Sequence, residues 1–473
     1  MEQQNLQKSL GIFSLVALGV SGVIGSGWIY TNGLFFDEYG AGGMIFGLAF
    51  GVLLAACVAL AYARLAALFP RAGGEVVYSY TALGRKWGFW AGWLLVGAYI
   101  SSLAFYFTAF GKLLERIVPV MGDLPLYTIA GAQVNLPVLL SGLGLTLLFF
   151  ALNYFGVSIG AQVQSVLFLV LLIIGGAIAV VGFTQGSVEN FLPPFRDNQD
   201  PISSILRFAV PGMTYMAGFG LIATLAEDAK LSPKKIGTLV VTTVLLAGTF
   251  YCVVLTASAW ILPWEEVAGM ERGTITAFKE AGFPMLSWGA FAIAILGLLT
   301  SYLGLFMATS RIIVAMARVE LLPKRLSQVS PKYRSPRNAL LFVTVMTIGL
   351  GWLGPGAITW FLDTGGIYLG LVWILVVAAQ WRLGNKYPHL TSKLGNKAIP
   401  AIGALGAAFV IGFAVFPGTS ISLIWPAEYI ILGLWIALGA ILLMRTPKVD
   451  EDNALSDILG DYKDVLSPST ERK

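Results

Sequence analysis

Charge is scarce in this chain. Aspartate, glutamate, lysine and arginine make up 12% of its 473 residues, whereas a water-soluble domain of that length needs nearer one in four to cover its surface. Most of the exterior must therefore face something other than water. Histidine is almost absent: the single one, His389, falls in a polar connection, where it is expected to be a solvated interfacial residue. The two cysteines, Cys57 and Cys252, both sit inside apolar runs, offer no metal cluster and have no candidate base nearby. These absences argue against an enzyme working inside the membrane, which needs a nucleophile and base or an acid pair. No apolar run carries an isolated central acid or base of the kind that marks a proton relay.

What is plentiful is apolar. The class AVILMFWYC accounts for 57% of the chain, with 55 glycines and 13 tryptophans, and the mean hydropathy is +0.79. A helix needs roughly 20 residues to cross about 30 Å of hydrocarbon. On that criterion the spans fall at residues 12–35, 42–69, 89–118, 136–153, 157–183, 205–225, 236–262, 286–317, 339–353, 359–381, 399–416 and 421–444, the ninth being short. The first is too long for a cleaved signal peptide and is followed by many more. Twelve spans put both termini on one side.

The charges indicate which side. Basic residues crowd alternate connections: Lys8, then Arg71, Arg85 and Lys86, then Lys230, Lys234 and Lys235, then the group from Arg318 to Arg337, then Arg382 to Lys397, then Arg445 and Lys448. The opposite loops hold few, chiefly Arg116, Arg196, Arg272 and Lys279. By the positive-inside rule both termini are cytoplasmic. The same bias accounts for the formal charge of +5 without nucleic acid. The polar tail after Lys448 is expected to fray, and Arg64 and Arg71 to anchor the interface.

Residues 19–27, GVSGVIGSG, put four glycines inside the first span. Each costs about 1 kcal/mol in a helix interior relative to alanine, so the cluster has a local purpose. One is close packing of small residues against a neighbouring helix. The other is an unwound stretch at Gly25-Ser26-Gly27, whose free N–H groups and helix dipole would hold a carboxylate near mid-membrane. Pro211-Gly212, ahead of residues 213–220 (MTYMAGFG), is a breaker of the same kind in the sixth span. Two interrupted spans at positions one and six point to a site between inverted repeats.

Four segments carry a family resemblance: residues 22–27 (GVIGSG); residues 69–78 (FPRAGGEVVY); Ala217-Gly218-Phe219 through Ala226-Glu227-Asp228 to Ser232-Pro233; and Ser310-Arg311 through Arg318 to Leu322-Pro323. In that order, at those spans, the chain resembles the amino acid–polyamine–organocation superfamily of permeases. The resemblance implies an all-α polytopic membrane protein of twelve helices, with a five-plus-five inverted repeat, broken helices 1 and 6 and two extra C-terminal helices. Its parts would be a cytoplasmic tail (1–11), a first repeat (12–183), a second repeat (205–381), the last two helices (399–444) and a cytoplasmic tail (445–473). The expected location is the cell membrane, a bacterial or archaeal inner membrane.

Carried over residue by residue, the carboxylate of an amino acid would meet the amides of Gly25, Ser26 and Gly27. Its ammonium would meet carbonyls near Val23, Ile24, Tyr215 and Ala217. Phe219 resembles the aromatic that covers the site from outside, with core packing as the other reading. Thr214, Met216, Tyr106 and Asp363 would shape the pocket. Many relatives carry a lysine in the fifth span, linked to proton coupling, where this chain has Val170. That departure counts against the usual proton coupling and leaves two replacements, a sodium ion or no coupled ion. The candidate sodium site is the carbonyls of Gly19, Val20 and Val23 with the hydroxyls of Thr300 and Ser301; the competing reading has both hydroxyls bonded back to their own helix. Glu75, Glu227, Asp228 and Arg311 are candidates for an inner gate, or for interfacial anchoring.

The function expected is secondary active transport of a neutral amino acid by alternating access, because no charged side chain is evident in the pocket unless Arg207 or Asp363 turns inward. A polyamine or organic-cation permease, an amino acid exchanger and a membrane amino-acid sensor are the alternatives. The expected partners are the amino acid substrate and membrane lipids. Neither nucleic acid nor a partner subunit is evident, and no cofactor is implied beyond the coupling ion.

Overall fold

The computed structural model describes residues 11–25, 27–155, 158–226, 229–333, 335–447 and 449–467. Helix follows helix: α1 (Ile12–Val23), α2 (Gly27–Leu68), α3 (Glu75–Leu83), α4 (Arg85–Leu114), α5 (Leu136–Phe155), α6 (Ser158–Gln185), α7 (Pro201–Tyr215), α8 (Leu221–Thr224) and α9 (Pro233–Ile261). Two short helices, α10 (Trp264–Val267) and α11 (Gly273–Glu280), lead into α12 (Pro284–Arg318), α13 (Arg337–Gly351), α14 (Ile358–Lys386), α15 (Thr391–Leu394), α16 (Ala398–Val415), α17 (Ala427–Met444) and α18 (Glu451–Leu459).

Among the described residues, nine helices are long and apolar enough to cross a membrane. The protein is thus an α-helical polytopic membrane protein. Runs 1, 6 and 9 of the sequence yield no long helix of their own, each for a local reason. The first is split after Val23, and its second half continues into the second run as α2, which bends at Gly40. Gly40 has φ +74°, a conformation that side chains avoid, and a Cβ there would meet the Pro194 carbonyl oxygen at 3.0 Å. The sixth run is split between α7 and α8, and the ninth forms the 15-residue α13.

Burial sorts the helices into a core and a rim. The apolar stretch of α4 is 94% buried, whereas that of α17 is 17% buried. Helix α4 packs against α12 and α14, and α2 against α7 and α9, so the two broken segments lie among the most enclosed helices. On the rim, Ile173, Leu405 and Leu434 present more than half their surface outward, the pattern that hydrocarbon rather than water accommodates.

Two features depart from the sequence reading. A small antiparallel hairpin, β1 (Pro125–Ile129) and β2 (Ala132–Asn135), interrupts the loop after α4; its turn residues Ala130 and Gly131 have φ of +50° and +75°, as a tight two-residue turn requires. The tail, expected to fray, folds through residue 467. Ala454, Ile458 and Leu459 recur at helical spacing and are buried. Arg71 Nε donates to the Ile458 carbonyl at 3.3 Å, and His389 Nε2 lies 3.2 Å from the Val465 carbonyl. Neither residue is therefore a merely solvated or interfacial group.

Candidate functional site

The first break begins where Ile24 leaves the helix with ψ +83°. Its N–H still reaches the Val20 carbonyl at 2.7 Å, and the Gly25 N–H turns to the Val23 carbonyl at 2.8 Å. Ser26, proposed above to assist a carboxylate, lies outside the described residues. Helix α2 then restarts at Gly27.

Close approach explains these glycines better than flexibility. A Cβ on Gly25 would collide with the Tyr106 hydroxyl, and one on Gly27 would stand 2.8 Å from the Tyr215 ring. On the opposite side Gly297 of α12 lets the Ile24 and Gly25 carbonyls come within 3.1 Å of where its Cβ would be.

The second break does not fall at Pro211. Helix α7 runs through that proline to Tyr215, because one lost donor leaves the rest of the hydrogen-bond ladder intact. The chain turns instead over residues 216–220, where Gly218 has φ +108° and would place a Cβ 2.7 Å from the Gly22 carbonyl oxygen. The two breaks are in direct contact.

Between them lies a small cavity. It is lined by Val23, Gly27, Thr214, Tyr215, Ala217 and Tyr106, all nominated from sequence, and by Ser102, Phe105, Tyr251, Leu305 and Leu362, which were not. Among the described residues, no charged side chain lines it. Tyr215 ties the halves together: its hydroxyl is 2.8 Å from that of Thr31, which donates to the Gly27 carbonyl at 2.6 Å. Thr214 donates to the Leu362 carbonyl, joining α7 to α14.

Of the lining residues that the sequence did not reveal, Tyr251 on α9 acts on the break itself. Its hydroxyl donates to the Val23 carbonyl and accepts the Gly25 N–H at 3.0 Å. One phenol thus adds a second partner to both the Val23 carbonyl and the Gly25 N–H of the unwound chain. Its sequence setting, TFYCVV, gives only the weak signal of a tyrosine in an apolar run.

Several nominated residues lie elsewhere. Phe219 faces away from the cavity and packs on Tyr62 at 4.9 Å and Trp373 at 5.8 Å between ring centroids. Tyr62 is near the Leu68 end of α2 and Trp373 lies on α14, so Phe219 takes the core-packing role. The turn at Gly218 is what rotates it away. Met216 is buried outside the cavity lining. Asp363 is also outside it, paired with Arg207 at 2.5 Å.

Of the sodium candidates, the Val20 carbonyl accepts from Ile24, the Val23 carbonyl accepts from Tyr251, and Gly19 packs on Ile222 and Thr243. Thr300 donates back to the Gly297 carbonyl at 3.1 Å, and Ser301 is buried beside Tyr106. A sodium ion there would compete with the Tyr251 hydroxyl for Val23.

Of the gating candidates, Glu227 and Asp228 lie outside the described residues. Glu75 starts α3, wholly buried over Gly220, and Thr224 Oγ1 donates to it at 3.3 Å. Burial pushes its carboxyl up to about 7, opposed by hydrogen bonds to the charged form. Arg311 is buried near the end of α12. Arg85, not nominated, caps that helix by donating to the Val319 and Glu320 carbonyls at 2.9 and 2.8 Å.

Known proteins align with most of this chain. It is 26% identical to the branched-chain amino acid permease of Lactococcus lactis subsp. cremoris over 407 residues, 84% of this chain and 87% of that one. It is likewise 26% identical to the branched-chain amino acid permease of Bacillus subtilis, over 86% of this chain and 88% of the other. A methylthioribose transporter of Bacillus subtilis is 22% identical over 93% and 94% of the two chains. The family model described as amino acid permease matches residues 10–438. That match takes in both broken segments and every residue of the cavity between them, and by it the chain belongs to the amino acid permease family.

Proposed function

We propose that this permease carries a neutral amino acid with an apolar side chain, as a secondary transporter working by alternating access. The observation that supports the reading is the uncharged lining of the cavity between the two breaks. A zwitterion brings its own two charges, and peptide dipoles neutralise both without a buried ionic side chain. Its carboxylate would take the amides of Ser26 and Gly27 and share that of Gly25 with the Tyr251 hydroxyl at the edge of that cradle. Its ammonium would take the carbonyls around Val23, Ile24 and Ala217. Phe105, Leu305 and Leu362 would then face the side chain, in keeping with the branched-chain substrates named for two relatives.

Arg207 and Asp363 hold each other in an ion pair outside the cavity, which counts against a cationic or acidic substrate. Twelve spans in a five-plus-five inverted repeat (12–183 and 205–381), with both termini cytoplasmic, remain the proposed topology. Glu75 and Arg311, with Glu227 and Asp228, would close the inner side.

The test is uptake of labelled leucine, alanine, lysine, putrescine and methylthioribose into proteoliposomes holding the purified protein. Saturable leucine uptake that unlabelled leucine or valine blocks, and lysine and putrescine do not, is the expected result. Saturable uptake of putrescine or methylthioribose without leucine uptake would overturn it. Leucine binding without any flux would make the protein a sensor.

A further inference from the structure

A second ionisable cluster lies on the other side of the breaks from Glu75. Arg207 of α7 donates to Asp363 Oδ2 of α14 at 2.5 Å, about 12 Å along α7 from Tyr215 at the helical rise. Glu428, in the first turn of α17, accepts the Ile424 N–H on Oε2 at 2.6 Å. Its carboxyl interacts with that of Asp363, where α17 packs on α14. Asp363 and Glu428 are both 0% exposed. Their remaining oxygens, Asp363 Oδ1 and Glu428 Oε1, are buried with no hydrogen-bond partner, as is Arg207 Nη1.

The charges do not balance. One guanidinium neutralises one carboxylate, and the second carboxylate is left as an uncompensated charge in an interior that cannot solvate it. The two orphan oxygens are acceptors only when both groups are ionised. A single proton satisfies both at once, as a donor on one oxygen and a bond to the other, which is why adjacent carboxyl groups titrate as a pair. Among the described residues, the neighbouring groups add no unpaired cation. Tyr39 and Glu38 of α2 face Arg207, with the Tyr39 hydroxyl donating to Glu38 Oε1 at 2.7 Å. Asp37 beside them is paired with Arg196, and Tyr429 follows Glu428. Glu38 is exposed, so the Glu38–Tyr39 pair leads from water toward the buried cluster.

We propose that Asp363 and Glu428 share one proton, and that this pair is the seat of the coupling ion in a proton-linked transport cycle. The link to the substrate cavity is short. Leu362, next to Asp363, lines the cavity and accepts the Thr214 hydroxyl, while Arg207 sits on the same helix as Thr214 and Tyr215. With the proton bound, α7, α14 and α17 are held together by one ion pair and one shared hydrogen. Once the proton leaves, Asp363 and Glu428 repel, and the α7–α14 wall of the cavity is the element that responds. The cycle rests on the transport reading above; the proton itself does not.

The experiment therefore has two arms. Infrared spectra of the purified full-length protein in nanodiscs at neutral pH are expected to contain a protonated-carboxyl absorption that shifts in heavy water. The part of this absorption that remains in E75Q, which removes the other buried carboxyl, disappears in E75Q/E428Q and in E75Q/D363N. Persistence of that part in both double variants, or its absence from E75Q, overturns the proposal.

In proteoliposomes, an acid exterior is expected to raise leucine accumulation about tenfold, within the usual range for coupling between two ligands. In E428Q, whose amide supplies a fixed hydrogen, accumulation loses its dependence on external pH. Equal acid stimulation in E428Q, or accumulation driven by a sodium gradient and indifferent to pH, overturns the coupling. If no neutral amino acid exchanges in the unaltered protein, the transport reading and the coupling fall, and the infrared arm still decides whether the proton is there.

Discussion

The Tyr251 hydroxyl stands 3.0 Å from the backbone nitrogen of Gly25, close enough to accept its hydrogen while donating its own to the Val23 carbonyl. A helix that ends in mid-membrane has free N–H and C=O groups that lipid cannot satisfy. Beside the hydrogen bond between Gly25 and Val23 themselves, one side chain from a neighbouring helix meets one of each. The broken segment is thereby held in a single shape.

Replacing Tyr251 with phenylalanine keeps the ring packed on Trp28, at 5.8 Å between centroids, and removes the bridge. A hydrogen bond of this kind contributes about 1 to 1.5 kcal/mol. Leucine kcat/KM is expected to fall about tenfold with little change in the amount of folded protein, measured by initial uptake rates in proteoliposomes. Unaltered kcat/KM would show that the bridge plays no part in binding.

Gly25→Ala puts a methyl group where the Tyr106 hydroxyl lies. The break has no room to yield, with Gly297 packed against its carbonyls on the opposite side. Uptake is expected to vanish while membrane levels persist. Adding Tyr106→Phe, which removes the colliding oxygen, is expected to restore part of it. A fully active Gly25→Ala protein would refute the close approach.

Glu75 gives a pH-dependent stability. Burial raises its carboxyl from 4.5 to about 7 in the folded protein. The folded state therefore favours the protonated form, and this contribution to stability is complete below about 4.5 and lost as pH rises through about 7. Thermal unfolding in detergent should show a midpoint that declines across that window in the unaltered protein. In Glu75→Gln, where no proton is exchanged, the decline should flatten; an identical slope in both proteins would exclude Glu75 as its source.

The tail is docked rather than loose. Leu459 is fully buried, next to Ile458, whose carbonyl accepts from Arg71. Leu459→Asp places a charge in that contact and should release the segment. Trypsin is then expected to cut at Lys463 about tenfold faster than in the unaltered protein, because cleavage follows the population of the opened tail. Equal cutting rates would mean that the tail is already free.

Nine of the twelve expected spans were legible as long apolar helices among the described residues, because a bilayer imposes a length and a polarity that few sequences meet by accident. The glycines at 22, 25 and 27 marked the first break for a similar reason, since their cost in a helix needs a return. The second break was misplaced onto Pro211, a local breaker that tolerates helix, when the turn belongs to Gly218, whose positive φ no neighbour in sequence announces. The tail was misread because its few apolar residues make a helix worth forming only when a surface waits to bury them.

Composition, apolar run length and glycine placement thus determined that this chain crosses a membrane many times and unwinds near its first glycine cluster, since those properties act over one turn or one bilayer thickness. Which side chains meet at the break was decided only by packing. Tyr251 is 226 residues from Gly25, Asp363 is 156 from Arg207, and Phe219 turns toward Tyr62 instead of the cavity. Helices bring such groups together through their rotation and crossing, which depend on the whole interface between them. A one-dimensional pattern records which faces are apolar, and leaves open which polar atom on one helix will find its counterpart on another.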